Sequence, residues 1–199
     1  MGLSYVSLDL ETTGFSPTAN EVIDIGAWKV KDGVVTDKFS RLVKPICSIP
    51  RDVKALTHIT DDMVASEEPI ETVLVEFFDW CEDLPFLGHN LTFDYNFLIA
   101  KGKPLGLDFT LNNQRCGFDT LRIAQKHLSL PNHKLETLVS HYKIDVGNNF
   151  HRAYFDAYAT KLVFDRLLLA YPICKVPINL NDKSKLYGEV TINDTLSFV

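Results

Sequence analysis

At 199 residues, with 46% hydrophobic and 23% charged side chains, the chain is long enough to close one sizeable core and short for two. No run approaches the roughly 18 consecutive apolar residues that mark a membrane-spanning helix. The opening MGLSYVSLDL has no cationic flank ahead of an apolar stretch, so the expectation is a soluble, cytoplasmic protein without a membrane partner. A net charge of −6 speaks against broad adhesion to phosphate backbones, yet leaves room for nucleic acid at one pocket whose acidic side chains are neutralised by cations.

In chain order, YVSLDLETTG alternates as a strand does, with Val6, Leu8 and Leu10 on one face and Tyr5, Ser7, Asp9 and Glu11 on the other. A second run, EVIDIGAWKV, follows. Lys31-Asp32-Gly33 then reads as a hairpin turn into VVTDKFSRLVKP, which predicts three antiparallel strands. Helical signals begin after Pro50. Ser66-Glu67-Glu68-Pro69 supplies an N-cap candidate and first-turn acids for a helix carrying Ile70, Val73, Leu74, Phe77 and Cys81. LPFLG suits a buried strand, Leu91 to Ala100 a helix, and Phe118 a strand end leading into a helix from Thr120 to His127. Lys134 to His141 and Arg152 to Tyr171 complete the helices. A strand meander followed by alternating helices and strands predicts an α/β fold, a mixed sheet of antiparallel and parallel strands flanked by helices. The division expected is a domain over 1–171 and a C-terminal extension over 172–199, either a hairpin or a partly ordered tail, with β-prone stretches at Tyr187–Thr191 and Leu196–Val199. The four cysteines, Cys47, Cys81, Cys116 and Cys174, form no CxxC pair and read as reduced thiols rather than a zinc site.

Asp9 and Glu11 lie two apart on one strand, so both carboxylates leave the same face, as hard divalent cations require; a polar strand face would look the same. Asp94 is more informative. It lies three residues before Phe97 and four before Leu98 and so points to the apolar side of its helix, where a lone charge is costly. Asp156 repeats the anomaly within the stripe Ala153, Ala157, Thr160, Phe164 and Leu168, and His151 falls in the loop entering that helix. Four inward carboxylates from one strand and two helices suit two divalent ions, ~3.5–4 Å apart, that clamp a scissile phosphate. His151 would then serve as base, its ordinary pKa lying near working pH.

Asp9-Leu10-Glu11-Thr12-Thr13-Gly14, His89-Asn90-Leu91-Thr92-Phe93-Asp94 and His151-Arg152-Ala153-Tyr154-Phe155-Asp156 resemble, in order, the three motifs of the DEDDh, or DnaQ-like, exonucleases. That family includes proofreading subunits and domains of bacterial replicative polymerases. The resemblance covers residues 3 to about 171 and implies a ribonuclease H-like fold, two Mg²⁺ or Mn²⁺ ions and removal of nucleoside 5′-monophosphates from a 3′ end. It implies metal binding by Asp9, Glu11, Asp94 and Asp156, with His151 as general base where the sister DEDDy group carries tyrosine. Thr12, Asn90 and Phe93 are implied beside the terminal nucleotide, and LTHITDDMV, which a capped short helix would also explain, offers His58 and Ile59 to its base. The expected substrate is single-stranded DNA with a free 3′ end, and a DNA polymerase subunit is the expected partner. An RNA-trimming exoribonuclease of the same fold and an inactive nucleic-acid-binding module are the alternatives.

Overall fold

The computed structural model describes residues 2–109, 117–146, 151–171, 173–176 and 188–191, the last two stretches as backbone alone. Alternation builds its first part. Tyr5–Thr12 (β1) pairs antiparallel with Val22–Lys31 (β2), which pairs antiparallel with Val34–Leu42 (β3). Asp32 and Gly33 both take positive φ, 51° and 81°, the two-residue turn that matches strand twist.

Past the meander come the short helices Arg51–Thr57 (α1) and Asp61–Val64 (α2), then Ile70–Cys81 (α3). The cap expected at Ser66 is not used. Proline disfavours helical backbone in the residue before it, so Glu68 stays outside, and the carbonyl of Pro69 takes the first helical N–H groups, from Thr72 and Val73. Phe86–Gly88 (β4) leads into Leu91–Gly102 (α4) and a 3₁₀ turn at Lys103–Leu105. Gly117–Asp119 (β5), Thr120–His127 (α5), Leu135–His141 (α6) and Ala153–Ala170 (α7) follow.

The sheet runs β3-β2-β1-β4-β5, with β4 parallel to β1 and β5 parallel to β4, as the pattern of elements implied. Helices cover both faces. Val6, Leu8 and Leu10 join Phe77, Phe86 and Phe97 in a core beneath α3 and α4. Tyr5, Leu87, Phe118 and Phe164 pack with α5, α6 and α7 on the other side. Burying each such aromatic contributes roughly 1.5–3 kcal/mol. One stripe position moves: Leu167 is fully buried, whereas Leu168 is half-buried, because a step of three after Phe164 keeps a 3.6-residue helix on its face better than a second step of four.

Ile173–Val176 (β6) and Gly188–Thr191 (β7) pair antiparallel in a second, two-stranded sheet; Leu196–Val199, the other stretch expected to be extended, lies outside the described residues. Neither Cys47, which is exposed, nor the buried Cys81 is in a disulfide, while the side chains of Cys116 and Cys174 fall outside the description. Among the described residues, no helix is long and apolar enough to cross a membrane.

Candidate active site

Strand β1 delivers Asp9 and Glu11 opposite Gly26 and Asp24 of β2, and the register shifts between Glu11 and Thr12. The chain then folds back on itself. The Thr12 hydroxyl donates to the Gly14 carbonyl at 2.7 Å, and the Thr13 hydroxyl accepts the Glu21 N–H at 2.9 Å.

Asp94 reaches the site because β4 is short. The parallel pairing of β4 with β1 covers only Val6 and Ser7, which leaves the N–H of Leu10 beyond it. Asp94, buried in α4, accepts that N–H at 3.0 Å and continues the ladder with a side chain. Its helix is anchored at Asn90, held in the left-handed region at φ 67°, whose N–H donates to Asp119 at 3.1 Å. Asp119 also accepts from Leu121 and Arg122, so one buried carboxylate caps α5 and fixes the start of α4.

Asp156 arrives on the first turn of α7, and glycine permits the approach: a Cβ on Gly26 would sit 2.0 Å from the Tyr154 nitrogen. The Ser7 hydroxyl donates to the Ala157 carbonyl at 2.7 Å and ties the helix to β1. One Asp156 oxygen accepts the His151 N–H at 2.9 Å; the other is buried with no hydrogen-bond partner.

Asp9, Glu11 and Asp156 each present an oxygen within 4.8 Å of the others. Burial, then the charges of Asp94, Glu11 and Asp156, holds the Asp9 carboxyl well above its usual range. Burial first and neighbouring carboxylates second push Glu11 up to about 8. Burial likewise lifts Asp94 to about 8 and Asp156 to about 6, the Leu10 and His151 N–H groups pulling against it. Such a cluster resists full ionisation unless cations enter it. An all-oxygen donor set with one buried oxygen unsatisfied fits a hard divalent ion such as Mg²⁺ or Mn²⁺. Beside these carboxylates lies a cavity of about 470 Å³, with Asp9, Asp156, His151, His89, Asn90 and Lys134 in its lining. His89 donates or accepts at Thr120, 2.9 Å away, and burial drives its pKa down to about 4, which keeps it neutral.

The model of the RNase T exonuclease family matches residues 6–164. The chain belongs to that family. The PolC-type DNA polymerase III of Thermotoga maritima is 38% identical over 167 residues, 83% of this chain and 12% of the relative. That of Lacticaseibacillus paracasei is 36% identical over 190 residues, 95% of this chain and 12% of the relative. The chain thus spans about an eighth of the length of those polymerases. Among solved structures it resembles Exonuclease X in complex with 5′-overhanging duplex DNA, with a TM-score of 0.68 and 23% identity over 84% of this chain and 93% of that one. It also resembles Escherichia coli Exonuclease I in complex with a dT13 oligonucleotide, with a TM-score of 0.75 and 19% identity over 85% of this chain and 42% of that one. These structures share the ribonuclease H-like, DnaQ-like fold that the mixed sheet displays.

Within this exonuclease fold the sequence-derived candidates separate. Asp9, Glu11 and Asp156 converge, Asp94 couples to them through Asp9, and His151 and Asn90 line the same cavity. The His151 ring nitrogen lies 3.7 Å from Glu136, which the sequence reading did not single out. Phe93 is half-buried against Phe97, ring centroids 5.1 Å apart, and it also meets the ring of Phe15, 91% exposed, at 6.5 Å. His58 is an exposed left-handed residue closing α1. Ile59 differs from the expectation: it is fully buried with Ile23, Ile49 and Val64, so its side chain offers no surface to a base in this conformation. The capped-helix reading of the same stretch also holds, since the Thr60 hydroxyl accepts the Met63 N–H at the start of α2. Asp24 is a further site residue that sequence reasoning missed, although a carboxylate in phase with Gly26 and Trp28, amid the apolar run of residues 22–27, was a usable signal.

Proposed function

We propose that this chain is a metal-dependent 3′→5′ exonuclease that hydrolyses single-stranded DNA to nucleoside 5′-monophosphates, in proofreading or repair. The observation that carries the reading is the convergence of Asp9, Glu11 and Asp156 within 4.8 Å, around a buried Asp156 oxygen that lacks a partner. Asp9, Glu11, Asp94 and Asp156 would hold two divalent cations, Mg²⁺ or Mn²⁺. When bound, these would supply an activated water and charge stabilisation at the scissile phosphate.

The chain's own residues do the rest. His151, half-exposed at the cavity mouth, takes the proton of the attacking water, whose oxygen bonds to phosphorus as the bond to the 3′-oxygen of the preceding nucleotide breaks. The pairing of central strand β1 with β2 and the Asp94 bond to Leu10 fix the carboxylates so that no reorganisation is needed during the reaction. Phe93 and the exposed Phe15 offer ring faces on which bases stack without regard to sequence, and Asn90, from the cavity wall, with Thr12 and His58 would contact the terminal nucleotide. DNA is favoured over RNA because the relatives are DNA polymerases and the similar structures carry DNA. The same relatives favour a replicative polymerase as partner and a cytoplasmic setting.

A 5′-labelled single strand incubated with the protein and Mg²⁺ should shorten in single-nucleotide steps from its 3′ end, and Asp156→Ala should lose most of that activity together with Mn²⁺ affinity. No shortening with either metal would sink the enzyme reading. An RNA strand of the same sequence degraded faster than the DNA would move the assignment to an exoribonuclease.

A further inference from the structure

Alternate residues of β2 face the entry to α7. Asp24 accepts the Arg152 Nε–H at 3.0 Å, Gly26 admits the Ala153–Tyr154 backbone, and the Trp28 indole N–H donates to the Tyr154 carbonyl at 2.9 Å. The Trp28 ring also lies against Tyr154 and Tyr158, with centroids 4.7 and 4.6 Å away. Period-two spacing on one strand thus forms a saddle for one helix turn. The saddle is in register with the carboxylates, because Asp24 and Gly26 pair across β1 with Glu11 and Asp9.

His151 stands just ahead of this turn with φ 66°, a left-handed backbone state uncommon for a residue with a Cβ. Its N–H is tied to Asp156, but that bond belongs to the same segment and cannot fix the segment against the sheet. Arg152 can. It is the N-cap residue of α7, its side chain makes no cap bond, and it reaches instead to Asp24, whose carboxylate is 1% exposed. The ion pair also balances a fifth carboxylate next to Glu11, and the Arg152 charge pulls against the upward push on Glu11. A half-buried, charge-assisted bond of this kind fixes geometry more than it adds stability.

We propose that Arg152 and Asp24 are positioning residues for catalysis, the charged clamp that sets the His151 loop against the strand bearing Asp9 and Glu11. The clamp acts through His151 and touches neither substrate nor metal, and it rests on the exonuclease reading of the site given above.

The test compares wild type, Arg152→Gln, Arg152→Lys and Asp24→Asn for single-strand degradation, Mn²⁺ affinity by titration calorimetry and melting temperature. Arg152→Gln should lower kcat by ten- to a hundredfold, the order expected of a misplacement of ~1 Å, with KM and Mn²⁺ affinity within about twofold of wild type. Asp24→Asn should shift kcat in the same direction, and Arg152→Lys should recover part of the loss. In a His151→Ala background the same Arg152→Gln change should cost less than about twofold, because the residue it positions is gone. An equal loss in both backgrounds, or a loss matched by weaker Mn²⁺ binding, overturns the proposal in favour of a merely structural role. Wild-type kcat in Arg152→Gln overturns it too. A wild type that binds Mn²⁺ yet shortens no strand overturns the exonuclease reading itself, and the clamp's catalytic role with it.

Discussion

Gly26→Ala tests how the sheet places the site. The added Cβ would lie 2.0 Å from the Tyr154 nitrogen and 2.1 Å from the Ala153 carbonyl carbon. Both are backbone atoms of a helix turn, so no side-chain rotation relieves the clash, and reaching ordinary contact requires β2 and α7 to part by ~1.4 Å. That movement would draw Asp156 from Asp9 and Glu11, loosen the Ser7 bond to Ala157 and lift His151 with the helix start. Overpacking of this kind costs ~1–3 kcal/mol, and for a chain near 200 residues each kcal/mol lowers Tm by ~2–4 °C. Misplacing catalytic groups by ~1 Å costs ~10²-fold in rate. Thermal melting by circular dichroism and a single-strand degradation assay, run on the same preparation, should therefore show a Tm ~2–12 °C lower and kcat down by about two orders of magnitude, with the protein still folded. A variant that melts and turns over like wild type would refute the argument that close approach of α7 to β2 sets the site.

The other expectations concern charge. Asp119→Ala removes the acceptor for Asn90, Leu121 and Arg122 N–H groups, so a destabilisation of ~1–3 kcal/mol is expected, read as a lower Tm; an unchanged Tm would show that the cap is dispensable. The metal-free protein should lose stability as pH rises from ~6.5 to ~8. Glu11 and Asp94, raised from 4.5 and 3.8 to about 8, keep protons in the folded state that the unfolded chain has already released, so ΔG of unfolding falls with pH across that interval. His89, lowered to about 4, works in the opposite sense below its ordinary value, which is why the test starts near pH 6.5. Saturating Mg²⁺ should flatten this dependence, and a metal-free Tm that climbs between these pH values would contradict the coupling of the carboxylates. Single-strand binding measured by fluorescence anisotropy should weaken at least tenfold when divalent ions are chelated, since the phosphate would then face uncompensated carboxylates; equal binding in chelator and in Ca²⁺ would count against a metal-lined substrate site.

Where a periodicity ran through one element, the sequence disclosed both fold and site. Period two placed Asp9 and Glu11 together on β1, and helical spacing put Asp94 and Asp156 on apolar faces, where they are 3% and 8% exposed. Helix α5 begins at Thr120 as expected, after Asp119, the side chain that accepts its first N–H groups. What escaped depended on distant pairs or on stretches too short to show a period. Asp24 and Arg152 are 128 positions apart and meet only once β2 and α7 are packed. Glu136 lies on the seven-residue helix α6 and meets His151 only through the folded chain. Ile59 sits between two short helices, where no repeat identifies an inward face, and its burial with Ile23 and Ile49 follows from tertiary contact alone.

The placement of the carboxylates runs against the stability of the fold and so bears on why the surroundings are built as they are. Asp9, Glu11, Asp94, Asp156 and Asp24 crowd one end of a sheet whose interior is mostly apolar, and burial raises the pKa of every one of them. A sequence selected for stability alone would fill those positions with apolar residues; function commonly opposes such a choice. The compensations are local and specific. Leu10 gives Asp94 an N–H, His151 gives one to Asp156, and Arg152 gives its guanidinium to Asp24. Asp9 and Glu11, at the centre, are the two for which neighbouring carboxylates follow burial directly as the causes of the upward shift, which is the arrangement expected where cations rather than protein donors complete the charge balance.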